Sequence, residues 1–197
     1  MRLTVGRTMQ FVTISAALAF AATAAQAQSS GDSERSAPPK VGDRAPDFEL
    51  LALGGDKVRL STIAKHGPVA VVVLRGYPGY QCPVCSRQVR QFAERGKQFE
   101  DAGAEVLMIY PGPAHDLQKR AAEFAQGRDL PKNFRLLLDP DYEFTNAWHL
   151  RWNAPRETAY PSTFVVDTDR MIRFAKISKS HGGRAAANEV LGALATK

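Results

Sequence analysis

Two short runs of apolar residues, Val69 to Arg75 (VAVVVLR) and Ala104 to Tyr110 (AEVLMIY), flank a stretch of helical periodicity. That pattern limits the fold more than any other feature of the chain. Each run is too short for a helix, and the first is rich in β-branched residues, so each predicts a buried strand, the first covered on both faces. Between them, from Pro83, the residues Cys85, Val89, Phe92, Ala93, Gly96 and Phe99 recur three and four positions apart. This spacing predicts one long amphipathic helix that stops at Gly103. Strand, helix and strand at these lengths make a right-handed βαβ unit with a parallel pair.

The remaining segments extend that unit. Phe48 to Leu53 and Lys57 to Leu60, separated by Gly54-Gly55-Asp56, predict a hairpin. Ala114 to Gln126 predicts a helix, Arg135 to Asp139 a short strand, and Phe144 to His149 a short helix. Ser162 to Asp167 and Met171 to Ile177 predict a second hairpin, followed by a closing helix over Arg184 to Leu194. The expected class is α/β, a central mixed sheet with helices on both faces.

Ahead of this domain, Arg2 and Arg7 precede a mostly apolar run of 14 residues, Phe11 to Ala24, and Ala25-Gln26-Ala27 has the small-x-small form that signal peptidase accepts. The run contains Thr13, Ser15 and Thr23 and falls short of the roughly 20 apolar residues that span a bilayer. The expected organisation is a signal peptide over 1–27, a flexible lead-in over 28–40 and one domain over 41–197, working in the periplasm or secreted, without stable membrane insertion after cleavage. Losing Arg2 and Arg7 lowers the formal charge from +6 to +4. The charges form no block of five or six of one sign, so a solvated basic surface is expected and not a nucleic-acid partner.

The chain has two cysteines, Cys82 and Cys85. Two residues apart, they cannot staple distant parts of the fold, so the pair is chemical or ligand-binding. Pro83 suits the first position of a helix, which places Cys82 at its N-cap, in contact with solvent, and Cys85 a turn below on the face of Val89. The unpaired N–H groups and partial positive charge of a helix N-terminus favour thiolate there. The arrangement assigns Cys82 as attacking thiol and Cys85 as resolving thiol. A structural zinc half-site would need two more ligands at knuckle spacing, but His66, His115, His149 and His181 are scattered and no second CxxC exists. Covalent haem attachment would need a histidine where Ser86 stands. An inert structural pair is the other alternative.

The segment Pro78 to Cys85 resembles the alkyl hydroperoxide reductase and thiol-specific antioxidant (peroxiredoxin-like, redoxin) branch of the thioredoxin fold. The same holds for Gly42-Asp43-Arg44-Ala45-Pro46-Asp47-Phe48, Leu138-Asp139-Pro140-Asp141 and Ser162-Thr163-Phe164-Val165-Val166-Asp167. The resemblance implies a thioredoxin-like fold and two-electron thiol chemistry without an organic cofactor. Aligned on Pro78, the family pattern P-x-x-x-[TS]-x-x-C makes Cys85 the peroxidatic cysteine, and Cys82 replaces the Thr or Ser that would orient peroxide. The arginine that the family carries before its late strand is replaced by Pro161. Thioredoxins have a first cysteine and a cis proline at these two places, so a cis Tyr160–Pro161 bond beside the disulfide is expected, with Arg156 standing in for the missing arginine. The implied function is an exported thiol-disulfide oxidoreductase acting on protein disulfides, served by an unidentified thiol reductant. One alternative is a thiol-dependent peroxidase of small peroxides using Cys85. Another is a copper-binding maturation protein, for which the chain lacks a histidine before the late strand.

Overall fold

The computed structural model describes residues 1–3, 37–78 and 81–195. The expected leader, apart from its first three residues, and much of the lead-in lie outside the described residues.

The first hairpin pairs β1 (Glu49–Ala52) with β2 (Lys57–Arg59), and a short α1 (Leu60–Ile63) follows at once. The βαβ unit runs from β3 (Val69–Val73) through α2 (Pro83–Ala93) and α3 (Gly96–Asp101) to β4 (Glu105–Gly112), with β3 and β4 parallel. Then come α4 (Ala114–Ala125), β5 (Phe134–Pro140), α5 (Glu143–Ala147), the hairpin β6 (Ser162–Val166) with β7 (Ile172–Ile177), and α6 (Ala187–Ala195). The seven strands form one sheet in the order β2-β1-β5-β4-β3-β6-β7.

The apolar runs are continuous because both faces of the central strands are covered. Ala70 and Val72 of β3 and Val106, Met108 and Tyr110 of β4 face a core completed by Val89, Phe92, Leu117, Phe124 and Val190. Val69, Val71 and Val73, with Leu107 and Ile109, face the opposite core of Leu60, Phe144, Trp148 and Phe164. Successive side chains of a strand point to opposite faces, so every position must be apolar. Each such valine or leucine contributes about 1.5–3 kcal/mol by leaving water.

Three expectations change. The single helix expected from Pro83 to Gly103 is two helices, because Arg95 leaves helical geometry at φ −108°, ψ 15°. The break lets Phe99 stack on Phe92 at 5.4 Å and brings Gly96 against Pro131, where a Cβ would stand 2.2 Å from the proline Cγ. The helix α1 takes over where the sequence predicts strand to Leu60. All peptide bonds among the described residues are trans, including Tyr160–Pro161. Trans is the ordinary X-Pro state, and here it carries the β6–β7 pairing one step further, since the Pro161 carbonyl accepts the Ser178 N–H at 2.9 Å.

Candidate active site

The cysteines lie where β3 hands over to α2. Cys82 is the N-cap of α2, in extended geometry (φ −82°, ψ 114°), and Pro83 is the first helical residue, which wastes no intrahelical N–H. Cys85 follows in the first turn, 1% exposed, in the core of Val89 and Phe92. The expected solvent contact of Cys82 is not found: it is only 3% exposed. The reason lies far away in sequence, in the loop between β7 and α6, where the Arg184 guanidinium places Nη2 3.8 Å from the Cys82 sulfur.

The two thiols differ in charge. Cys82 is lowered to about 5, first by a hydrogen bond from the Cys85 thiol, then, against the cost of burial, by the Cys85 amide, Arg184 and the Val84 amide. Cys85 moves the other way, because its proton is engaged by Cys82 and because its site is dry. At neutral pH the pair is therefore a thiolate at the cap and a thiol inside, joined by a hydrogen bond. Arg75 reaches the pair through its backbone, whose N–H meets the Cys85 sulfur at 3.4 Å, and its guanidinium charge is favoured by Cys82.

Arg156 does not stand in for the missing arginine. Its side chain is exposed, and its backbone adopts φ +65°, a left-handed conformation that costs a residue other than glycine about 1 kcal/mol or more. That turn aims the next residue inward. Glu157 grips Arg75 through two bonds, Nε to Oε2 at 2.5 Å and Nη2 to Oε1 at 3.2 Å, while the Arg156 carbonyl accepts Nη2 at 3.1 Å. Arg184 is thus the cation in contact with a sulfur, and Arg75 meets Cys85 through its backbone N–H. The sequence offered one hint of this: a charge directly after a strand buried on both faces needs a partner. Arg184 and Glu157 carried no such signal.

Tyr160 and Pro161 supply no free backbone edge. The Tyr160 N–H donates to Leu150 O at 2.8 Å, and its carbonyl accepts the Ser162 hydroxyl at 2.7 Å, while its ring stacks on Trp152 at 5.0 Å. Pro161 is buried, its carbonyl taken by Ser178. Pro78 lies half-buried at a bend three residues after Arg75. Gln81, next to the cap, is anchored from behind, accepting from Tyr110 Oη at 2.8 Å and donating to Arg120 O at 2.9 Å. A cavity of about 770 Å³ opens beside α2, touching Gln81, Pro83 and Ser86, but neither sulfur lines it. Among the described residues no group of three His, Cys, Asp or Glu side chains is placed to hold a metal.

A low-pKa thiolate capping a helix, with a protonated partner one turn on, is built for two-electron thiol chemistry. Residues 41–175 match the AhpC/TSA family. The chain belongs to that family. Peroxiredoxin Bcp of Bacillus subtilis is 29% identical to this AhpC/TSA protein over 140 residues, 68% of this chain and 83% of the relative. The crystal structure of peroxidoxin BcpB from Mycobacterium tuberculosis superposes with a TM-score of 0.64 at 27% identity, covering 79% of this chain and 96% of that one. A peroxiredoxin-like protein from Aquifex aeolicus, 18% identical, shares the fold with a TM-score of 0.64 over 80% of this chain and 86% of its own. The protein is accordingly a peroxiredoxin-like oxidoreductase of thioredoxin-like fold.

Proposed function

We propose that this AhpC/TSA protein reduces small hydroperoxides, with Cys82 attacking and Cys85 resolving. The observation that carries the reading is the covered Cys82 thiolate, in contact with the Arg184 guanidinium beside a protonated Cys85. The thiolate attacks the terminal peroxide oxygen: an S–O bond forms, the O–O bond breaks, and the leaving alkoxide or hydroxide takes a proton. Guanidinium groups beside the departing oxygen stabilise the charge that develops there. The Cys85 sulfur then displaces the Cys82 sulfenic oxygen as water, using its own proton, and leaves a disulfide. An external thiol pair returns the two electrons.

Exchange with a protein disulfide is the second reading, favoured by a CxxC pair at a helix N-terminus. It needs an accessible sulfur and an open backbone edge. Here Cys82 is 3% exposed, and the backbone polar groups of Tyr160 and the Pro161 carbonyl are already hydrogen-bonded. A small hydroperoxide needs no backbone edge and a far smaller opening at the sulfur than a protein disulfide does.

Stopped-flow oxidation by hydrogen peroxide and by a mixed-disulfide substrate separates the readings. Peroxide should oxidise wild type and Cys85→Ser, the latter accumulating a sulfenic acid that dimedone traps on Cys82, and should spare Cys82→Ser. Rapid peroxide reduction that persists in Cys82→Ser and vanishes in Cys85→Ser transfers the attacking role to Cys85. Fast disulfide exchange without peroxide reduction establishes the second reading instead.

We further propose that the chain acts after export, on the strength of Arg2, Arg7, the short apolar run and Ala25-Gln26-Ala27. Intact mass from the native compartment should then begin at Gln28; a full-length product would refute export with cleavage.

A further inference from the structure

Arg184, whose guanidinium lies at Cys82, and Arg75, whose backbone N–H meets Cys85, come from places far apart in the chain, yet one carboxylate links them. Arg75 and Glu157 are each only 12% exposed, and the fork between them is the most enclosed ion pair among the described residues. The second oxygen contact of Glu157 is to His181 Nε2, at 3.0 Å from Oε1. His181 belongs to the loop after β7, the same loop that carries Arg184, whose Nε donates to the His181 carbonyl at 2.9 Å and whose Nη1 donates to Gln88 Oε1 at 3.0 Å. That loop is folded on itself through the Ser178 hydroxyl, which bonds the carbonyls of Ser180 and Gly182. The His181 ring also rests on Trp152, 5.3 Å between centroids. Glu157 thus stands at the junction of two arms, one ending on the Cys82 sulfur through Arg184 and the other on the Cys85 sulfur through the Arg75 N–H.

We propose that Glu157 is a positioning residue for the reacting thiol: its fork fixes the Arg75 guanidinium, and its bond to His181 pins the loop that lays Arg184 on Cys82. The surroundings of Glu157 fit this role. Its own segment is held rigid by Arg151, which donates to the carbonyls of Trp152, Glu157 and Thr158 at 2.6, 3.1 and 2.6 Å. Burial alone would push the Glu157 carboxyl up, but the bonds from Arg75 and His181 hold it below its ordinary value, so it stays ionised. The groups facing it are the Arg75 guanidinium from the end of β3 and the His181 imidazole from the β7–α6 loop. A guanidinium on a long side chain stabilises a thiolate only if it is kept near, and an immobilised one costs less to orient when charge develops.

The inference rests on Cys82 being the attacking thiolate, so the test measures that first. Thiolate absorbance at 240 nm is followed against pH in reduced wild type, Glu157→Gln, His181→Ala and His181→Gln. A wild-type midpoint well above the acidic range would refute the thiolate assignment itself, whatever the variants do. Given an acidic midpoint, Glu157→Gln should raise it by about one unit, a tenfold loss of acidity. The direction decides the matter. A Glu157 that acted only as a nearby negative charge would, once neutralised, let the midpoint fall, and a fall or no change overturns the proposal. His181→Ala should raise the midpoint by roughly half a unit, a few-fold effect. His181→Gln, which can still donate to Glu157, should restore it. His181 is 47% exposed, so this arm remains readable if Glu157→Gln folds poorly. An unchanged midpoint in His181→Ala overturns the loop arm.

Discussion

Replacing Arg184 with glutamine removes the guanidinium 3.8 Å from the Cys82 sulfur and keeps a side chain able to hydrogen-bond nearby. Two unit charges at that distance interact by about 1.1 kcal/mol at the dielectric of water and about 4.4 kcal/mol at an effective value of 20. At 1.36 kcal/mol per pKa unit, the range is roughly 0.8 to 3 units. The guanidinium charge is spread over three nitrogens and the Cys85 thiol remains the strongest stabiliser of the thiolate, so the lower half of that range applies. The Cys82 midpoint should rise from about 5 to about 6 to 7. At pH 6 the wild type is mostly thiolate, while the variant should hold between about half and a tenth as thiolate. Iodoacetamide alkylation, read by peptide mass, should therefore slow at least about two-fold at pH 6 and match wild type at pH 9. Equal rates at both pH values, with an unmoved 240 nm titration, would refute the idea that Arg184 holds the thiolate.

The same pair makes the stability of the reduced protein depend on pH. Cys82 falls from an ordinary 9.0 to about 5 on folding, so between those values the unfolded chain holds a proton that the folded one does not, and stability climbs as pH rises. Cys85 is displaced upward, so above about 9 the folded state holds the extra proton and stability declines. Urea unfolding of the reduced protein should show this rise and fall, and the Cys82→Ser/Cys85→Ser double variant should lack it; identical profiles would exclude the linkage. Gly76→Ala should destabilise by at least about 2 kcal/mol in the same assay, because φ there is +63° and the new Cβ would stand 2.1 Å from the Pro111 carbonyl oxygen. A loss under about 0.5 kcal/mol would mean that the turn after Arg75 relaxes freely.

Much of the architecture is written locally. The continuous apolar runs VAVVVLR and AEVLMIY, the cap-and-proline order at Cys82-Pro83 and the helical face of Cys85, Val89 and Phe92 are features of near neighbours in the chain. Backbone sterics and periodicity act over those short distances, so strand, helix and the place of Cys82 at the helix cap are legible without coordinates. The family likeness is carried by equally short strings.

The cover over Cys82 is of another kind. Arg184 lies 102 residues beyond the sulfur it touches, and Glu157 lies 82 beyond the arginine it grips. Those meetings follow from the sheet order, which sets β6 and β7 beside β3 and brings the loops at their ends over the α2 cap. No periodicity encodes them. The chain by itself determined a buried βαβ unit with a dithiol at its helix cap; only the tertiary structure decided that the outer thiol is covered, that Arg156 gives way to Arg184, and that Pro161 is trans. Side chains from distant strands share a site only after the sheet has assembled, and the energy of their contacts belongs to the assembled state.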